Sequence, residues 1–566
     1  MSLDDQDIGT VELDALEVPG LAGAIQQKFI EAEEGRYSEE IRWLKAYKNY
    51  RGITDSTTSY SSSEKSKVFI KITKVKVLAA FGQIIDILFS NNKFPITVSS
   101  TPVPEGIAEF AHIPSPEEQQ LSQDIGNTSL HDLGYDGENM DDFLAGLKEK
   151  YLGSTLIEGK SVFDTAQISP SQEAARNLEK QIHDQLMNTN AMTVLRHSIF
   201  ECCLLGTGII KGPFNFTKTI HSWKKENDEK TYEPYEKSIP KIEAVSCWDF
   251  YPDPTAVSLD DAEYVIQRHR YNREQLRNLI NRPHFDKESI EEVLSETPNY
   301  EVKSFESEIH SKDDSHLFID KRYEILEYWG MLDAALAREF GLDVPHSISD
   351  LDSVQINAWI AGNTVIRLVL NPFLPARIPF YAFPYELNPY QLFGIGVAEN
   401  MEDSQILMNG HMRMAIDNLA LAGNMVFDID ETQLVPGQSM SIYPGKIFRR
   451  QSGQTGTAVN GIKFPSTAPE NLQMFDTARR LADEQTGIPS VSHGQTGVTG
   501  TGRTAAGLSM LLNSAGLSIK TVIKNIDDFL LKPLGESLFQ WNMQFNDDNA
   551  EIVGDLEIKP KGTAAI

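Results

Sequence analysis

From Leu508 to Leu538 an apolar or small residue returns every three or four positions: Leu508, Leu512, Ala515, Ile519, Val522, Ile526, Leu530, Leu534 and Leu538. At 3.6 residues per turn these positions form one stripe along a helix of about eight turns. A helix of that length needs partners along its whole extent, so it limits what the rest of the chain can do. Ala505, Ala506, Gly507, Ser509, Ser514, Ala515 and Gly516 fill its first half with small side chains, which let another backbone approach closely. Pro533 lacks a backbone donor and crowds the carbonyl four residues earlier, so a bend is expected there. Burial within one subunit and repeated packing around a ring both fit the stripe.

The remaining chain reads as a mixture of helix and strand, an α+β class. Residues 22–50 predict a helix carrying Phe29, Trp43, Tyr47 and Tyr50 and stopping at Gly52. A mostly apolar segment covers Val68 to Phe89, and residues 99–165 read as a surface insertion rich in Pro, Asp and Gly. Pro170 opens a long helix expected to reach about Leu205. Strands are expected at 207–217, 231–245, 322–331, 353–360 and 364–370, with small helices near 273–281 and 286–295. The pair Ser353–Ile360 and Thr364–Leu370, joined around Gly362, predicts a hairpin. Residues 395–422 predict one helix with Met401, Met408, Met412, Ala415 and Leu419 on a common face; β-like chain follows at 423–467, a helix at 468–486 and a polar loop at 487–502.

Charge narrows the function. The chain has 566 residues and a formal net charge of −30. Phosphate neutralisation by Lys and Arg supplies most of the affinity of DNA-gripping proteins, so this chain cannot hold DNA tightly over its whole surface. A solvated acidic surface and a surface that faces DNA without adhering to it are both compatible with the balance. Between Thr432 and Ile526 the only acids are Glu470, Asp476, Asp483 and Glu484, against Lys446, Arg449, Arg450, Lys463, Arg479, Arg480, Arg503, Lys520 and Lys524. This locally basic, Gly-rich stretch is where function is to be sought.

No apolar run approaches the roughly 20 residues needed to span a bilayer. The longest, Val77 to Phe89, is broken by Gly82, Gln83 and Asp86. Met1 to Val11 is acidic and lacks the parts of a signal peptide, so a protein made and used inside a cell is expected, with no membrane partner. The three cysteines, Cys202, Cys203 and Cys247, fit neither a disulfide framework nor a zinc spacing and are expected to be reduced and structural.

Catalytic signatures fail one by one. The run from Gly494 to Thr504 is glycine-rich ahead of a helix, but lacks the Gly-Lys-Ser/Thr ending of a phosphate loop. The histidines are scattered, no nucleophile elbow occurs, and Asp260, Asp261 and Glu263 are explained as the first turn of a helix capped by Ser258. No catalytic residue, metal or cofactor is expected.

The order of motifs resembles the portal, or head-to-tail connector, proteins of tailed bacteriophages, especially those of podovirus type. The residues that carry the likeness are Arg42-Trp-Leu-Lys-Ala-Tyr47, Leu204-Leu-Gly-Thr-Gly-Ile-Ile-Lys211, Phe250-Tyr-Pro-Asp-Pro254 and Glu327-Tyr-Trp-Gly330. They continue with Gly394-Ile-Gly-Val-Ala-Glu399, Ile416-Asp-Asn-Leu-Ala-Leu421, Ala482-Asp-Glu-Gln-Thr-Gly-Ile-Pro489 and Thr501-Gly-Arg-Thr-Ala-Ala-Gly507. Together they span roughly residues 25–560.

The resemblance implies a non-enzymatic dodecameric ring at one capsid vertex of the virion, through which double-stranded DNA passes without sequence-specific contacts. Its implied partners are terminase, a tail adaptor, the major capsid protein and scaffold protein, with assembly in the host cytoplasm. It divides the chain into an acidic arm (1–21), a wing (22–394), a stem helix (395–422), clip or wing strands (423–467), a helix (468–486), a channel loop (487–502), a long bent helix (503–541) and the start of a crown (542–566). It assigns His493, Gln495, Thr496, Thr499, Thr501 and Arg503 to the channel loop and Lys520 and Lys524 to the channel-facing helix. Lys446, Arg449 and Arg450 become candidates for adaptor or terminase contact, and Ala505, Ala506, Ala515 and Gly516 for subunit packing. The alternatives are another virion component, of tail or adaptor type, and a nucleotide-binding enzyme using the Gly-rich loop.

Overall fold

The computed structural model describes residues 20–53, 65–89, 94–100, 170–226, 229–310, 322–424, 426–451, 453, 456–489, 518–546 and 556–562. The acidic arm up to residue 19, the insertion beyond residue 100 and the polar loop from residue 490 lie outside them.

Helix α1 (Leu21–Arg51) buries Ile25, Phe29, Ala32, Arg36, Glu39, Trp43 and Ala46, one side chain every three or four residues. It ends at Gly52, as the sequence predicts. After α2 (Ile72–Phe89) and strand β1 (Ile96–Ser100), the long helix expected from Pro170 to Leu205 is two helices: α3 (Pro170–Asn188) and α4 (Ala191–Leu205). Asn190 breaks them by adopting a left-handed backbone with φ 56°, a conformation Asn tolerates better than most residues. Strands β2 (Thr207–Ile220), β3 (Trp223–Glu226), β4 (Glu229–Tyr232) and β5 (Tyr235–Val245) follow, so the strand expected at 231–245 is also divided, around Glu233 and Pro234.

Five strands, β6 (Phe250–Pro252), β7 (Tyr264–Tyr271), β8 (Tyr323–Asp333), β9 (Ser353–Ala361) and β10 (Thr364–Leu370), form an antiparallel sheet in the order β10-β9-β8-β7-β6. Between β7 and β8 lie α5 (Arg273–Asn278) and α6 (Lys287–Ser295). Alternate residues of the sheet enter two separate cores. Tyr328, Ile356, Ala358 and Ile360 face the first half of α1, while Tyr323, Ile325, Trp359 and Ile366 face Leu276, Ile290 and Val293 of α5 and α6. The expected β9–β10 hairpin is present, with Thr364 opposite Ala361. Asp260, Asp261 and Glu263 belong to no helix, which corrects the capping assignment. Ser258 instead donates its hydroxyl to Asp261 at 2.7 Å within the turn before β7.

Strand β11 (Phe380–Pro384) pairs with β2, and then the chain enters α7 (Val397–Asn400) and α8 (Glu402–Gly423), interrupted at Met401, so residues 395–422 are not one helix. Strands β12 (Val426–Ile429) and β13 (Val459–Ile462) pair antiparallel, and α9 (Ala468–Thr486) returns along α8. The last helical stretch, described from residue 518, buries Ile519, Val522, Ile526, Leu530, Leu534 and Leu538 as the stripe predicts. Leu508, Leu512 and Ala515 lie outside the described residues. Ahead of Pro533 the helix widens into a π turn, Asp527–Leu531, before resuming as α10 (Lys532–Phe545). A π turn absorbs the displaced carbonyl that an interior proline creates. Strand β14 (Leu556–Pro560), from the segment assigned to a crown, pairs with β1 and places Ile558 in the main core.

All three cysteines are buried thiols, and burial raises each of them above the ordinary thiol range. Beside them Glu201 is half-buried; loss of water around it pushes its carboxyl up to about 7, against the Ser246 hydroxyl donating at 2.6 Å and the Cys247 amide at 3.3 Å. Between its unfolded value and about 7 the folded state holds a proton that the unfolded chain has released. Stability therefore falls as pH rises through that window, by about 2 kcal/mol, because water reaching the half-buried carboxyl screens part of the shift. Glu201→Gln keeps an acceptor for Ser246 and loses the titration. Urea unfolding of the variant is expected to match wild type near pH 5 and to exceed it by about 2 kcal/mol at pH 8. Parallel pH profiles would show that Glu201 does not titrate in this window.

Candidate assembly and channel site

Motifs far apart in sequence meet at one place. Gly206, at φ 98°, ends α4, and a Cβ there would stand 2.4 Å from the Gly394 carbonyl oxygen. A Cβ on Gly396 would lie 2.8 Å from the Gly206 nitrogen, and the Gly394 amide donates to the Thr207 hydroxyl at 2.8 Å. The segments around Leu204–Gly208 and Gly394–Gly396 thus interlock backbone to backbone, which only glycine permits. Around them, Trp43 packs edge-on against Trp248 and Phe393, with ring centroids 5.5 and 4.9 Å away. Arg42 bonds both carboxylate oxygens of Glu399 at 2.9 and 2.7 Å, joining α1 to α7. Arg36 donates to the carbonyls of Cys247 and Phe250 at 2.8 and 2.7 Å. A second buried cluster centres on Glu327, whose carboxylate accepts from Lys211 at 2.5 Å, from His269 at 2.7 Å and from the Trp329 indole at 2.7 Å.

From this scaffold α8 and α9 project as an antiparallel pair. Ser404 donates to Gln485 at 2.6 Å at one end, His411 meets Asn471 at 3.1 Å in the middle, and the Thr467 amide donates to Asn418 at 2.8 Å at the other. Their shared core is small: Met401, Met408, Ala478 and Ala482, supported by Ile72 and Phe475. The alanines let the axes approach, and little apolar surface is covered as a result. Met412 is half-buried, and Leu419, the last of the apolar series Met401, Met408, Met412, Ala415 and Leu419, is 53% exposed. Leu407, Met414 and Leu421 of α8 and Leu472, Met474 and Leu481 of α9 are exposed as well.

A polar stripe on α8 holds the chain that leads into α2. Asp417 accepts from the Lys65 and Ser66 amides at 3.0 and 2.9 Å, and Asn409 from the Ile70 amide at 2.9 Å. Gln405 accepts from the Thr73 amide at 3.1 Å and donates to the Ile70 carbonyl at 2.6 Å. Side chains four and eight residues apart on one face thus stand where a neighbouring strand would otherwise satisfy an extended backbone. The methionine spacing of this helix does not point to Gln405, Asn409 and Asp417, although their spacings of four and eight stand in the sequence.

The chain beyond α8 forms a lobe on the small β12–β13 sheet, and the three candidate contact charges sit in it. Lys446 donates to the Ser439 carbonyl at 2.7 Å and lies against the rings of Tyr443 and Phe448, 5.3 and 5.4 Å from their centroids. Arg450 bonds Gln433 at 3.1 Å and the Gly456 carbonyl. Both therefore help to shape the lobe. Arg449 is exposed, and its backbone bonds Val435 and Gln438. Ile442, Tyr443 and Ile447 stand exposed beside it, Ile447 at 79%.

Lys520 and Lys524 lie one turn apart on the exposed side of the last helix, while Ile519, Val522 and Ile523 face the core. His493, Gln495, Thr496, Thr499, Thr501 and Arg503, together with Ala505, Ala506, Ala515 and Gly516, lie outside the described residues. Gly487 and Ser518 bracket that segment and touch: a Cβ on Gly487 would stand 2.4 Å from the Ser518 hydroxyl oxygen. The chain between them leaves and returns at one point. Among the described residues no cluster of His, Cys, Asp and Glu could hold a metal ion, and no helix is long and apolar enough to cross a membrane.

The family model described as phage SU10 portal protein matches residues 167–554, from the start of α3 past the end of α10. That match covers well over half of the 566 residues and includes every element of the scaffold except α1, α2 and the β1–β14 pair. The chain belongs to the phage SU10 portal protein family.

Proposed function

We propose that this chain closes into a ring, of dodecameric size, at one capsid vertex and that double-stranded DNA is packaged and ejected through its centre. In this proposal terminase docks on the ring during packaging and tail or adaptor proteins replace it afterwards, on the lobe that carries Arg449. The major capsid protein and scaffold are its other partners, and the chain does no chemistry of its own. The observation that carries the proposal is the α8–α9 pair, which projects from the scaffold with a minimal core of its own and apolar side chains exposed on both helices. Such flanks are covered when identical pairs stand side by side around a ring. The net charge of −30 suits a conduit, because DNA must slide along walls that do not retain it.

Negative-stain imaging and mass photometry of purified protein, mixed with scaffold protein where the chain alone stays monomeric, test the proposal. The expected result is a population of rings with a central hole and a mass near that of a dodecamer, with no ATP hydrolysis. Monomers that persist at high concentration with scaffold present, or open filaments, would overturn it.

A further inference from the structure

We propose that Lys76 is a positioning residue, which fixes where the segment between α9 and the last helix leaves the body of the protein. The inference deepens the channel reading and rests on it for its functional consequence. Lys76 lies on α2, and its side chain is 1% exposed. Its ammonium donates to Asp483 at 2.5 Å and to the main-chain carbonyl of Ile488. Asp483 is on the last full turn of α9 and Ile488 follows the left-handed Gly487, so one cation grips both sides of the helix terminus. Ile488 is itself 1% exposed in the main core, and Gly487 abuts Ser518 where the chain returns. The departing and returning chain are thus pinned at one spot, and Lys76 reaches that spot from α2.

A buried cation is a poor choice for stability alone, since apolar side chains of the same size often replace ion pairs without loss. What the ammonium adds is direction: it must meet one carboxylate and one carbonyl, and these define where the helix stops. The same helix, one turn earlier, bonds Gln405 of α8 through Thr73 at 3.0 Å. Helix α2 therefore holds both members of the projecting pair, α8 through Thr73 and α9 through Lys76. A displacement of the pair against the body passes directly to the exit of the segment beyond Ile488.

Lys76→Met keeps the length of the side chain and removes its charge. Rings bearing it are expected to have wild-type mass and a thermal midpoint within a few degrees of wild type. Hydrogen exchange at Gly487 and Ile488 should rise at least tenfold, and full genomes per particle in a complementation assay should fall at least tenfold. Rings in which exchange at these amides stays at the wild-type rate would overturn the proposal. If Lys76→Met does not assemble, Asp483→Asn takes its place; it preserves volume and the carbonyl contact, and a smaller rise in exchange is expected, while no rise overturns the proposal. Deleting residues 490–501 separates the two claims. Undiminished packaging after that deletion would sink the channel reading, yet faster exchange in Lys76→Met would still establish the pin.

Discussion

Lys211→Met is expected to destabilise the folded chain by about 3–5 kcal/mol at neutral pH, the cost of leaving a buried charge without its counter-ion. Lys211 reaches Glu327 at 2.5 Å and Gln267 at 2.9 Å, between the rings of Phe214 and Phe380. Glu327 is 2% exposed, so no water compensates when the cation is lost. Burial alone would raise the Glu327 carboxyl, but the charge of Lys211 and the contacts from His269 outweigh it and hold the group well below the usual carboxylate range. A carboxyl depressed in the folded state contributes stability that is complete above its unfolded value, about 4.3, and is lost as pH falls below it. With Lys211 removed that depression weakens, so acid unfolding should begin at higher pH than in wild type. Urea titration followed by tryptophan fluorescence at pH 7, and an acid titration of the same variant, measure both effects. The double variant Lys211→Met with Glu327→Gln should recover most of the loss, because neither partner is then charged. A loss below about 1 kcal/mol in the single variant would mean that the carboxylate reaches solvent and that the cluster is not a structural centre.

Glu327 and Trp329 stand in the motif Glu327-Tyr-Trp-Gly330, and the interlocked glycines stand in the motifs around Gly206 and Gly394. The sequence order of these motifs carried the family likeness, yet their meeting in space was not legible, because no local pattern records which distant backbone fills the space a glycine leaves. Periodicity was the reliable guide where one face is buried throughout. The stripe from Ile519 to Leu538 is buried at every described position, and α9 runs from Ala468 to Thr486 as expected. It misled where a single residue decided the outcome. Asn190 splits one expected helix and Met401 another, and neither disturbs the apolar spacing around it. Ser258 and Asp261 have the spacing of a capping pair but close a turn, since the same hydroxyl-to-carboxylate bond serves both. Leu419 shows the opposite failure. It belongs to the apolar spacing of α8, but the spacing does not say whether its partner is the same chain or another copy.

That ambiguity sets up the largest assembly effect. Leu419→Glu and, separately, Leu472→Glu are expected to abolish ring formation at concentrations where wild-type protein is fully assembled. Leu419 is 53% exposed and Leu472 43%, one on each helix of the projecting pair. Changes at exposed positions usually alter monomer stability by no more than about 0.5 kcal/mol, so the fold should survive both. In a closed ring each flank is buried once per subunit. Losing a leucine contact and burying a carboxylate there costs at least about 2 kcal/mol per interface, close to thirtyfold in each association constant. The penalty recurs at every interface around the ring, so even a modest loss at one contact empties the closed state. Leu351→Glu is the control: Leu351 is 96% exposed in the turn before β9, far from the pair in sequence and with no part in its core, and it should assemble normally. Mass photometry of the three variants reads the outcome directly. If Leu419→Glu and Leu472→Glu both form rings as readily as Leu351→Glu, the flanks of α8 and α9 face solvent in the assembly. The small core between these helices would then need another explanation.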